Sequence, residues 1–238
     1  MERSGSATHL QGDQASFFEQ RGFVVVPGFC SSEMAGLLAE SLLLERDVQV
    51  FETGDYHRDS RIPKAFSIFG KFDYCLTYFL PVVKQLTANP SVIPMNSYAR
   101  IYGCGSSLTR HVDAPELHYT VSLCLQPDKK VWSFGICDLL GEEHAVVQSP
   151  GDAILFHRSL PHWRNGAFSG ESHSQLFLHY TDGRDPEMVK KKFRGRPMLG
   201  VKLTQGNGQR SLVSRLAGIL IRVVMSRGRG LNHKITQT

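Results

Sequence analysis

The chain has 238 residues, 41% of them hydrophobic, enough to bury the core of one domain with extensions. Its five cysteines, Cys30, Cys75, Cys104, Cys124 and Cys137, are odd in number and show no C-x-x-C spacing, which argues against a disulfide framework or a zinc knuckle. The net charge of +5 is unevenly spread: Gly183 to Thr238 holds 13 basic and two acidic residues, a net of +11, which leaves the body at −6.

Met1 to Gln14 is polar and is expected to be disordered. It lacks the apolar stretch of a secretory signal, and no run of about 18 apolar residues follows, so a cytoplasmic protein is expected. Phe23 to Val26 is a β-branched run stopped by Pro27-Gly28, the pattern of a strand entering a turn. Ser31 and Ser32 offer caps for a helix over Glu33 to Glu45. Val48 to Phe69 carries mixed charge and suits a long surface loop, a candidate cover for a site, since long loops in compact domains often serve as lids. Asp73 to Thr87 has helical periodicity, with Pro81 expected to bend or divide it.

From Ser97 the texture changes to short β-type segments separated by turn signals: Tyr98–Tyr102, Leu108–Asp113, Tyr119–Leu125, Trp132–Cys137, His144–Val147, Ala153–His157 and Gln175–Tyr180. Such lengths and spacings predict an all-β core with flanking helices, a jelly roll. The expected domain runs from residue 15 to 182, and a basic extension follows over residues 183–238. In that extension Leu212, Leu216, Ile219, Leu220, Val223 and Val224 recur at helical spacing. A basic amphipathic helix is expected to pack on the body, with an anionic membrane surface or nucleic acid as the alternative partners.

The chemistry concentrates in His111-Val112-Asp113, followed 51 residues later by His162. Residues i and i+2 of an extended run share a face, so His111 and Asp113 can meet one metal ion. Two histidines and a carboxylate occupy one face of an octahedral Fe(II) and leave the other positions open. Around them stand Arg100-Ile101-Tyr102-Gly103-Cys104-Gly105, the tight turn Ser149-Pro150-Gly151-Asp152 feeding Ala153-Ile154-Leu155-Phe156, then His162-Trp163-Arg164, and the closing run Gln175 to Tyr180.

Together these motifs resemble the Fe(II)/2-oxoglutarate-dependent dioxygenases, on their prolyl-4-hydroxylase-like side, over Phe17 to Asp182. The resemblance implies a double-stranded β-helix, Fe(II) as cofactor and 2-oxoglutarate as co-substrate. It makes His111, Asp113 and His162 the iron ligands and Tyr102 a partner of 2-oxoglutarate. The implied reaction consumes O2, releases succinate and CO2, and hydroxylates a C–H bond of a peptide or protein side chain or of a small metabolite. A carboxylate at position 113 argues against halogenation, which uses a small residue there.

One position departs from the pattern. The resemblance places a cationic anchor for the distal carboxylate about ten residues after His162, near Ser172, where no Arg or Lys stands. A buried dianion needs a cation or several donors. Arg164 is the first candidate, and Arg100, on the face of Tyr102, is the second. The missing anchor leaves a rival reading, a catalytically silent jelly-roll binding module. Oxidative demethylation of nucleic acid is a further alternative, supported by the basic extension but not by paired arginines on the last strands.

Overall fold

The computed structural model describes residues 6–53, 62 and 64–190. Among these residues nine strands form two facing antiparallel sheets, and helices pack on the outside of the larger one. In chain order the elements are α1 (Ser6–Arg21), β1 (Phe23–Val26), α2 (Ser32–Thr53), β2 (Ala65–Phe69), α3 (Asp73–Leu86), β3 (Val92–Gly103) and β4 (Tyr119–Gln126). There follow β5 (Phe134–Cys137), β6 (Glu143–Val146), β7 (Ala153–His157), β8 (His162–Arg164), β9 (Ser172–Asp182) and α4 (Pro186–Lys190). The six-stranded sheet has the order β1-β7-β4-β9-β3-β2, and the three-stranded sheet the order β6-β5-β8. The expected all-β core with flanking helices is therefore present.

Period-two alternation explains the layering. On β9, Leu176, Leu178 and Tyr180 point outward to the helices, where they meet Leu38 and Leu42 of α2 and Leu76, Phe79 and Val83 of α3 in one buried cluster. Residues of the opposite parity face the interior between the sheets. Near β1 and β7 that interior holds Phe23, Ile154 and Phe156 against Phe134 and Ile136. Toward β2 and β3 it holds Ala65, Tyr102 and Phe177 under Trp132 and Phe168.

Local chemistry sets the element ends. The Ser31 hydroxyl accepts the Met34 N–H at 3.1 Å and caps α2. Buried Asp73, at the start of α3, accepts from the Ser97 amide (3.1 Å) and hydroxyl (2.7 Å), fastening that helix to β3. Gly151 has φ +91°, and a Cβ there would lie 2.3 Å from the Cys30 carbonyl oxygen, so the turn before β7 demands glycine.

Several expectations need correction. α1 begins at Ser6 and takes in residues assigned above to a disordered N-terminus through Gln14. The stretch has no apolar periodicity of its own; Phe18, near its end, is the buried anchor. α2 runs on to Thr53, and β2 occupies Ala65–Phe69, so both ends of the supposed loop Val48–Phe69 are regular. Pro81 neither divides α3 nor ends it: it stands on the exposed side, while Leu76, Phe79, Val83 and Leu86 are buried along the other. Leu108–Asp113 is no ladder strand, and only His111 makes a bridge, to His162. The amphipathic stretch within residues 211–227, the basic run past Lys190 and residues 54–61 lie outside the described residues.

Replacing Gly151 with alanine is expected to lower the urea midpoint, by a destabilisation of more than about 1 kcal/mol, without changing the slope of the transition. Equilibrium urea unfolding of the two proteins checks this.

Candidate active site

A pair of backbone hydrogen bonds closes the site. The His111 N–H donates to the His162 carbonyl at 3.0 Å, and the His162 N–H donates back at 2.9 Å. Asp113 is held nearby by its own N–H, which donates to the Arg158 carbonyl at 3.2 Å. One ligand-type atom from each of His111, Asp113 and His162 lies within 4.8 Å of the others. Asp113 Oδ1 is 3.8 Å from His162 Nε2.

The donor set suits a divalent metal in each of its parts. The Nδ1 of His111 lies 2.8 Å from the Thr109 carbonyl, and that of His162 lies 3.0 Å from the Leu160 carbonyl. A carbonyl only accepts, so Nδ1 is the donor in each ring, and Nε2 is the atom that a neutral ring offers to a metal. The Thr120 hydroxyl donates to Asp113 Oδ2 at 2.5 Å and leaves Oδ1 toward the histidines. Burial lowers the pKa of His162, with Asp113 opposing and His111 reinforcing, so the ring is held neutral. The structure brings His111, Asp113 and His162 together; Thr120, which orients the carboxylate, was not anticipated.

Two residues beyond His162 on the same inward face, Arg164 is buried. Its Nη1 donates to the Trp132 carbonyl at 2.8 Å, and its Nη2 lies 2.9 Å from Gln175 Oε1 and 3.2 Å from His173 Nε2. All of these partners are neutral, and among the described residues no carboxylate pairs with it. Desolvation lowers its pKa, but a guanidinium keeps its proton inside proteins. The site therefore holds a positive charge without a protein counter-charge, an arrangement that fits an anionic ligand.

The wall around this charge is polar and ordered. Gln175 Nε2 donates to Ser122 Oγ at 2.9 Å and to Gln148 Oε1 at 3.1 Å, which fixes Gln175 Oε1 toward Arg164. Tyr102 is fully buried on the same face; the Trp132 ring is 5.0 Å from the Tyr102 ring and 5.0 Å from the Arg164 guanidinium. Arg100 donates to the Tyr102 hydroxyl at 3.0 Å and lies against the rings of Tyr98, Tyr102 and Phe177, so it supports Tyr102 rather than standing beside Arg164. Gln175, Ser122 and Gln148 were missed by sequence reasoning. A glutamine and a histidine two apart in an otherwise apolar strand were the available signal.

Three further described histidines bond neighbouring side chains: His118 with Thr181, His157 with Ser159 and His179 with Asn96. Trp163 points to the outer side of β8. It bonds Asn165, and its ring lies under Arg110 at 4.4 Å. It also fills the space opposite Gly135, where a Cβ would come within 2.3 Å of the indole. A second cluster, Asp138, Glu142 and His144, is occupied by the Arg21 side chain, which bonds both carboxylates and ties α1 to the β5–β6 hairpin. Burial would raise the Asp138 pKa, but hydrogen bonds from His144 and Arg21 hold it well below the carboxylate range. A hollow of about 480 Å3 near Phe18, Tyr119 and His157 lies on the helix-facing side of β4 and β7, away from the triad.

His173 is pushed down to about 3 by burial and by the Arg164 charge. The unfolded chain takes up this proton near pH 6.5 and the folded one near 3, so the folded state loses stability as pH falls between them. Wild type is expected to lose up to about 1.4 kcal/mol per pH unit more than His173→Gln between pH 6 and 4. Urea unfolding across that range measures the difference.

No family model matches the sequence, and no curated protein does. Solved structures do. A prolyl-4-hydroxylase from Pseudomonas putida superposes with a TM-score of 0.56 at 14% identity, over 72% of this chain and 98% of that one. An oxidoreductase of the 2OG-Fe(II) oxygenase family from Burkholderia pseudomallei gives a TM-score of 0.56 at 12% identity, over 76% and 93%. HygX from Streptomyces hygroscopicus, crystallised with nickel, 2-oxoglutarate and hygromycin B, gives 0.53 at 14% identity, over 71% and 86%. At such identities the likeness speaks for architecture, and the architecture of this chain is the double-stranded β-helix of the Fe(II)/2-oxoglutarate-dependent oxygenases.

Proposed function

We propose that the chain is an Fe(II)- and 2-oxoglutarate-dependent oxygenase that hydroxylates a C–H bond of a peptide or protein side chain or of a small metabolite. The observation that carries this reading is the pairing, on one short strand, of a metal-type histidine with a buried guanidinium that has no protein counter-charge. His111, Asp113 and His162 hold the metal, and Arg164 takes the distal carboxylate of 2-oxoglutarate. Two similar structures support the reading by what they are or contain: a prolyl-4-hydroxylase, and HygX with nickel and 2-oxoglutarate.

Bound Fe(II) would supply the oxidising chemistry that couples decarboxylation of 2-oxoglutarate to attack on the substrate. The protein's part is positional. Thr109 and Leu160 fix the ring tautomers of the two histidines through their carbonyls. Thr120 turns the Asp113 carboxylate. His162 and Arg164 share one face two residues apart, a spacing of roughly 6.7 Å along a strand. A short dicarboxylate can reach the metal with one end and the guanidinium with the other. Trp132, Phe134 and Tyr102 enclose the Arg164 end, which strengthens an Arg–carboxylate contact by excluding water. A silent binding module has no comparable use for the three ligands and the uncompensated cation together.

Anaerobic Fe(II)-loaded protein is expected to develop a visible charge-transfer band on addition of 2-oxoglutarate. His162→Ala should abolish it, and Arg164→Ala should raise the 2-oxoglutarate concentration needed by about 10- to 100-fold. Iron bound without a band in wild type would sink the oxygenase reading. A band with unchanged 2-oxoglutarate dependence in Arg164→Ala would sink only the anchor.

A further inference from the structure

Among the described residues, two groups lie over the interior face of the large sheet. The small sheet lies over β1 and β7, where Phe134 and Ile136 meet Ile154 and Phe156. Trp132 and Phe168 cover the Tyr102 end of β3. Beyond both lies a row of rings on neighbouring strands. His179 on β9 is paired with Thr120 of β4, whose hydroxyl holds Asp113. The His179 ring stacks with Tyr98 of β3 at 5.5 Å and 27°. Tyr98 stacks with Phe177 at 4.6 Å and 16°, and with Phe69 of β2 at 5.3 Å and 26°. The β2–β3 register places Phe69 directly opposite Tyr98, on the same face.

Exposure grades along this row. His179 and Phe177 are buried, Tyr98 is half-buried, and Phe69 is 64% exposed. A phenylalanine that open, on the inward parity of an edge strand, has little to gain from its position in the free protein. Its ring is already held at stacking distance by Tyr98, so a further planar group would meet a surface whose orientation is fixed. The Arg100 guanidinium lies 5.0 Å from the Tyr98 ring centre and 5.8 Å from that of Phe177, and a cation against a ring array favours an electron-rich ring as its further partner.

We propose that Phe69, Tyr98, Phe177 and His179 form the substrate platform, which takes an electron-rich planar ring of the substrate at its Phe69–Tyr98 end. Phe69 is two strands from His179, roughly 10 Å. Thr120, which holds Asp113, lies one strand further, roughly 14 Å from Phe69, so the substrate is an extended molecule that carries its aromatic group at about that remove from the carbon presented to the triad. This assignment rests on the oxygenase reading for the identity of the triad, but not for the ring row itself.

The test uses full-length protein and two probes of one carbon skeleton, planar 2-naphthol and saturated decahydro-2-naphthol, titrated first without metal. Wild type should bind 2-naphthol about five- to tenfold more tightly than the saturated probe. Phe69→Leu keeps apolar bulk but removes the ring; it should erase that preference and leave the saturated probe within about twofold. Equal binding of the two probes, or a preference that survives Phe69→Leu, overturns the platform. With Mn(II) added, the proton relaxation of bound 2-naphthol should be enhanced in wild type and not in His162→Ala. Bound Mn(II) with bound but unrelaxed 2-naphthol also overturns it. Failure of Mn(II) to bind removes the oxygenase reading, and the metal-free titrations then decide the platform by themselves.

Discussion

The register of β9 is the constraint on which the rest depends. This central strand is paired to β4 on one side and β3 on the other over most of its length. Its even-numbered residues from Leu176 to Tyr180 build the contact with α2 and α3, and its odd-numbered residues from His173 to Thr181 face the interior. A slip by one residue would send the leucines inward and His173, Gln175 and His179 into the helices. The hydrophobic layer outside thus specifies the polar arrangement inside. Stability and site geometry are consequences of one alignment.

That alignment explains which parts of the site could be read from the chain. His111 and Asp113 were legible because their relation is local, two residues apart in an extended segment. Arg164 was legible for the same reason relative to His162. The link between the two pairs depends on a bridge across 51 residues, which no local pattern contains, and only the likeness of the surrounding motifs suggested it. Gln175, Ser122 and Gln148 converge from β9, β4 and the turn before β7, so their network exists only once three segments are in register. At the level of elements, β2 was hidden beside a stretch of mixed charge. α1 was hidden because its sequence has no apolar periodicity, and Phe18 near its end is the residue it buries.

Electrostatics divides the interior into two unlike regions. At the triad, a carboxylate and two imidazoles converge and burial lowers the His162 pKa, so the protein side is suited to a cation. One strand step away, Arg164 supplies the opposite sign, and His173 beside it is kept uncharged by burial and by the guanidinium itself. Opposite charges at that spacing do not neutralise one another through direct contact. Each is left to a ligand, and a single molecule with two acidic ends, bound through a metal at one of them, satisfies both.

The fit of Trp163 against Gly135 has a consequence for how this centre could vary. β8 is three residues long, and its outer side is the indole, seated where residue 135 has no side chain. The histidine and the arginine are the residues immediately before and after that indole. Any bulk introduced at position 135 would push the middle of the strand and so shift both neighbours at once. The spacing between metal and anchor is thereby protected as a unit from behind the sheet: variation on this outer face can tilt the pair, but it has little leverage to change the length of ligand the pair accepts.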